Sequence, residues 1–89
     1  MAVRILSEDE TRRYRKIRKE YNAYIDTLPG TWLCEHNDPG MSDFFNNDTE
    51  EWFFSDNTGN IISSDLNKTT LEQAAKLVQF ENRIMQSFA

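Results

Sequence analysis

Apolar residues at Tyr14, Ile17, Tyr21, Tyr24, Ile25 and Leu28 recur every three or four positions, and the period stops at Pro29-Gly30. At about 100° per residue these six fall within an arc of about 100°, a single buried stripe on one helix. The entry is marked as well as the exit. Ser7 and Glu10 have capping-box spacing, in which the hydroxyl accepts from the third helical N–H and the carboxylate reaches back to the cap N–H. Glu8, Asp9 and Glu10 put negative charge where the helix dipole favours it. The spacing predicts a helix over about 8–28, roughly 30 Å long.

A second helix is predicted over about 70–88. Thr69 with Glu72, or Thr70 with Gln73, supplies the capping pair. Leu71, Ala74, Ala75, Leu77, Val78, Ile84, Met85 and Phe88, widened by Phe80, make an apolar arc of roughly 220°, too broad for a surface helix covered on one side only. Glu81 falls inside this arc. A carboxylate there is costly without a partner, and Arg13 or Arg18 at the edge of the first helix is the expected one. Exposure of Glu81 to solvent or to a binding partner is the alternative.

Residues 30–66 show no helical period. Trp52-Phe53-Phe54 and Ile61-Ile62 flank the loop signal Asp56-Asn57-Thr58-Gly59-Asn60 and read as a β-hairpin. Thr31 to Cys34 is a third candidate strand, and Asp38-Pro39-Gly40 is a turn. Ser42 to Asn47 reads as a short helical turn or an irregular loop. The expected fold class is α+β: an N-terminal helix, a small antiparallel β-hairpin or three-stranded sheet, and a C-terminal helix. With 89 residues the chain is expected to make one domain, burying roughly 60–65% of its extended surface. Hydrophobic residues at 38% and eleven aromatics argue against disorder.

Charge is distributed unevenly. Arg12, Arg13, Arg15, Lys16, Arg18 and Lys19 lie within eight positions of the first helix, whereas residues 21–67 contain no Lys or Arg. That stretch holds nine carboxylates: Asp26, Glu35, Asp38, Asp43, Asp48, Glu50, Glu51, Asp56 and Asp65. The net charge of −5 disfavours binding of phosphate backbones by the molecule as a whole.

Two binding surfaces follow from this asymmetry. In the middle of the chain, Asp43, Phe44, Asp48, Glu50, Glu51 and Asp56 combine carboxylates with aromatics, as a surface that steers toward and anchors a basic protein would. Core packing of Phe44, Phe45, Trp52, Phe53 and Phe54, with the carboxylates serving solubility, is the competing reading. On the first helix, Arg12, Arg15, Lys16 and Lys19 cluster opposite the apolar stripe and could neutralise nucleic-acid phosphates. A solvated face balanced by Glu8–Arg12, Asp9–Arg13 and Lys16–Glu20 pairs is the simpler reading there. Self-association, with a homodimer as one form, would bring the basic helix of one copy to the acidic middle of another.

Catalytic chemistry finds little support. His36 and Cys34, two apart on a strand, would share a face and could seat a thiolate beside an imidazole. No further Cys or His completes a zinc site. The Asp56 loop lacks the acidic first ligand of an EF-hand. Neither a cofactor nor a metal is expected, and no enzyme activity. Asn47-Asp48-Thr49 and Asn67-Lys68-Thr69 match glycosylation sequons, expected to be chance matches because Met1 to Ser7 lacks the character of an export signal. A cytoplasmic, membrane-free location is the expectation from this and from the single cysteine.

Small size, acidity, one cysteine and the lack of catalytic residues resemble the host-takeover and anti-defence inhibitors that bacteriophages encode. The resemblance is one of style, carried by no motif. It implies a viral inhibitor or adaptor in the host cytoplasm, blocking the cationic groove of a larger, nucleic-acid-handling protein.

Overall fold

The computed structural model describes residues 6–38 and 40–86. The order of elements is α1 (Glu8–Asp26), β1 (Trp32–Asp38), β2 (Met41–Asn46), β3 (Trp52–Ser55), β4 (Ile61–Asp65) and α2 (Leu71–Gln86). The fold is α+β, as expected. The sheet has four strands rather than two or three, all antiparallel in the order β1-β2-β3-β4. Ser42 to Asn46, expected as a turn or loop, is strand β2, the partner of both β1 and β3.

Both helix entries use the anticipated chemistry. Ser7 Oγ accepts from Glu10 N–H at 3.2 Å and Glu10 Oε1 accepts from Ser7 N–H at 3.1 Å. At α2 the register is Thr70 with Gln73: Gln73 N–H donates to Thr70 Oγ1 at 3.1 Å and Thr70 N–H to Gln73 Oε1 at 2.9 Å. Two expectations, the helix end near Phe88 and Pro39 in its turn, lie outside the described residues, as do Met1 to Ile5.

One face of the sheet packs on the helices. Trp32, Phe44 and Phe53 meet Leu77, Val78, Phe80 and Ile84 of α2, with Tyr21 and Leu28 from the α1 side. Phe44 and Phe53 face each other across β2 and β3 and stack at 4.6 Å, an arrangement worth about 1 kcal/mol beyond burial. Tyr21 and Tyr24 close on Phe80 at 5.3 and 5.6 Å, which joins α1 to α2.

Two bulges interrupt the edges. Glu35 is an extra residue in β1, between Cys34↔Phe44 and His36↔Asp43, and Ile62 is an extra residue in β4, between Ser63↔Phe54 and Ile61↔Ser55. The first reverses the expected alternation. Cys34 turns toward the core and His36 to the opposite face, so they do not form a pair.

Asn46, fully buried, ties the α1–β1 connection to the β2–β3 turn. Its Oδ1 accepts from the N–H groups of Thr31, Asp48 and Thr49, and its Nδ2 donates to Pro29 O at 2.8 Å. Gly30 lies against this amide with φ of +72°, and a Cβ there would collide with Asn46 Oδ1. Asn46→Ala leaves several of these groups without a partner and is expected to cost about 3 kcal/mol. Urea denaturation measures it, and a loss under about 1 kcal/mol would contradict this role.

Candidate functional site

Among the described residues no element covers the sheet face turned away from the helices, and alternation sorts its residues into rows. Leu33, Phe45, Trp52 and Asp65 align across the four strands, and His36, Asp43, Phe54 and Ser63 form the next row. Leu33, Met41 and Trp52 are exposed at 47%, 44% and 37%, unusually open for side chains of this size. Phe45 and Phe54 are half-buried between them. Carboxylates surround this apolar patch: Glu35 at the β1 bulge, Asp43 within the sheet, Asp65 beside Trp52, and Asp48 and Glu50 in the β2–β3 turn.

The acidic residues keep their charge to the outside. Among the described residues, the ion pairs are Arg12 with Glu8 and Asp9, Arg83 with Glu20 at 3.2 Å, and His36 with Asp43 at 3.8 Å. None joins an arginine or lysine to a carboxylate of the sheet region. Glu50 has φ of +62°, the left-handed region that costs a non-glycine residue about 1 kcal/mol or more. The Glu50 N–H closes the turn onto Asn46 O at 2.9 Å, which holds the residue in that conformation in spite of the cost.

Two of the expected partner-binding residues have structural roles instead. Phe44 is fully buried in the core, because β2 pairs it with Phe53 on the helix-covered face. Glu51 is 2% exposed. Its Oε2 accepts from the backbone N–H groups of Asn67, Lys68 and Thr69 at 2.8–3.0 Å, just before α2 begins. Asp56 stands apart as well. It sits at the opposite end of β3 from Asp48 and Glu50, and its carboxylate accepts from Thr58 and Asn60 within the hairpin loop. The Thr58 side chain foremost, with the loop N–H groups, holds its carboxyl below the usual range. Asp43, Asp48 and Glu50 remain on or beside the open face.

The basic helix side is as expected, with Arg12, Arg15, Lys16 and Lys19 all exposed. Arg12 pairs with both Glu8 and Asp9, in place of the expected Asp9–Arg13 pair. Glu20 reaches Arg83 of α2 instead of Lys16. Glu81 does not pair with Arg13 or Arg18: the Tyr21 hydroxyl donates to it at 2.8 Å, and Arg18 lies over the Tyr21 ring at 5.4 Å. Burial, then the charge of Glu81, raises the Tyr21 hydroxyl above its ordinary value.

Phe45, Trp52 and Phe54, which the sequence leaves open between core and interface, lie in the patch, and Leu33 and Asp65 are patch residues that sequence reasoning did not single out. Strict alternation about a buried Phe53 is the signal that finds Trp52 and Phe54. Cys34 is unsuited to nucleophilic work, since burial first, and then the charges of Glu81 and Asp43, push its thiol up to about 12. Glu35, His36 and Asp43 bring donor atoms within 4.8 Å of one another, but all three belong to the acidic face and nothing further marks a metal site. No helix among the described residues is long and apolar enough to cross a membrane. Comparison with protein-family models, curated proteins and solved structures returns no match.

Glu51 provides a pH test of the scaffold under this face. Burial raises a carboxyl, but here four hydrogen bonds, three from backbone N–H groups and one from the Thr49 side chain, outweigh it and leave the net shift downward. A depressed carboxyl stabilises the fold above the unfolded value of about 4.3, and that contribution is lost as pH falls through the folded value. Glu51→Gln is expected to cost about 2 kcal/mol at neutral pH, with the gap to wild type shrinking below about pH 4. Thermal melts across pH check this, and a gap unchanged down to pH 3 would refute it.

Proposed function

We propose that the chain is a non-enzymatic protein-binding module whose uncovered sheet face docks on a basic surface of a larger protein, as an inhibitor or adaptor. The observation that carries this reading is the apolar row Leu33, Phe45 and Trp52, bordered by carboxylates that, among the described residues, no lysine or arginine neutralises and only His36 approaches, at Asp43. Aromatics anchor an interface when they are desolvated, while rim charges govern encounter and partner choice. A cationic groove built for nucleic acid has the matching sign, which supports the nucleic-acid-handling class of target and the phage-inhibitor style of action. The separation of Cys34 from His36 supports a role without catalysis. Binding of nucleic acid through Arg12, Arg15, Lys16 and Lys19 has the exposure of those four side chains in its favour. Against it, the tyrosines of α1 belong to the stripe that packs inward, so α1 offers no aromatic for stacking on its basic side.

Affinity capture from host lysate with wild type, Trp52→Ala and the triple variant Asp43→Lys/Glu50→Lys/Asp65→Lys tests the proposal. Trp52→Ala is expected to fold normally and to lose about tenfold or more in affinity. The triple variant is expected to lose capture altogether. Undiminished capture by the triple variant would overturn the proposal, and a low-salt gel shift abolished by Arg12→Ala/Arg15→Ala/Lys16→Ala/Lys19→Ala would favour nucleic acid.

A further inference from the structure

The faces of opposite charge lie on opposite sides of one core. Tyr21 of α1, and Leu28 just beyond its end, enter the core that Trp32, Phe44 and Phe53 line from the sheet. The basic side of α1 therefore points away from that core in one direction, and the uncovered sheet face points away from it in the other. Both carry charge with no partner. Among the described residues Arg15, Lys16 and Lys19 have no carboxylate within ion-pair distance, and neither Glu35, Asp48, Glu50 nor Asp65 has a cation. A shallow groove of about 470 Å³ runs along α1 beside Arg15, Arg18 and Lys19, with Ala23 giving it a low floor.

We infer that the acidic sheet face also takes a second copy of this chain, whose α1 lies across it with Arg15, Lys16 and Lys19 over the carboxylate rim and the exposed Trp52. Resting on the docking role proposed for that face, this makes the chain its own competitor for the surface. Charge complementarity is the main support. Like-charged copies of net charge −5 repel at long range, but within a Debye length of about 8 Å the local pairing of α1 with the sheet face dominates. Exposed Trp52 adds a ring face for a guanidinium.

Geometry then fixes the form of assembly. Two complementary patches on opposite sides of one molecule cannot both be satisfied in a two-fold dimer, because an isologous contact uses the same patch twice. Copies must add head to tail, and the series grows with concentration. The helix and the four-stranded face overlap over a small area, with about 1,000 Å² buried in total, at the lower end of specific interfaces. Weak, salt-sensitive association in the micromolar range or above is the consequence.

Light scattering on the full chain, from low micromolar to several hundred micromolar, tests the inference. Weight-average mass is expected to climb past the dimer at low salt and to return to the monomer at about 0.5 M salt, where the Debye length is about 4 Å. Arg15→Glu/Lys16→Glu/Lys19→Glu and Asp43→Lys/Glu50→Lys/Asp65→Lys, each checked for folding by circular dichroism, are expected to stay monomeric alone and to associate when mixed. A wild type that remains monomeric throughout, a mass that plateaus at the dimer, or a mixture that stays monomeric would overturn the inference. The α1 variant keeps the partner-binding face intact, so its capture of a lysate partner reports on the docking role separately from self-association.

Discussion

The buried carboxylate of Glu51 decides which way β3 faces. Three successive backbone N–H groups before α2 converge on one of its oxygens. These donors would otherwise be buried or half-buried without partners, at a cost of about 1–3 kcal/mol each. Once Glu51 turns inward, the two-residue period of a strand turns Phe53 and Ser55 inward with it, and Trp52 and Phe54 outward. The same interaction therefore fixes a central ring of the core, the start of α2 and the aromatic content of the open face. The inward Ser55 hydroxyl finds no hydrogen-bond partner among the described residues, a further cost that this parity carries.

Asn46 does for the connections what Glu51 does for the helix. One side-chain amide holds the chain leaving α1 and the turn leading into β3, and Gly30 makes room for it. The two residues stand at the same end of the sheet as Asp48, Glu50 and Asp65. The acidic rim of the candidate site is thus mounted on a turn tethered by a buried side chain. Preorganised side chains lose less entropy on binding, and the left-handed backbone at Glu50 fits a turn held by its neighbours.

Much of this was legible in the sequence, wherever a local rule applied without competition. Ser7 with Glu10, the Tyr14-to-Leu28 stripe and the Asp56–Asn60 hairpin loop each form as their spacing requires. The failures share a physical cause, which is burial of polar residues. In β2, Ser42 and Asn46 share the inward face with Phe44, so the strand shows no clean apolar alternation and reads as a loop. Glu51 resembles a surface carboxylate until α2 is placed beside it. The bulge at Glu35 is equally silent in sequence, and it alone separates Cys34 from His36. The open face could not be read directly, because both parities of Glu51-Trp52-Phe53-Phe54-Ser55 contain aromatic residues and only the long-range carboxylate contact selects between them.

Among the described residues the outer margins of the four-stranded sheet pair with no further strand, and both outer strands bear an extra residue, Glu35 in one and Ile62 in the other. Such kinks spoil the flat, continuous ladder that a foreign strand needs in order to zip on alongside. Lateral growth toward fibrils is thereby discouraged, and visiting molecules are left to settle broadside on the pleated surface.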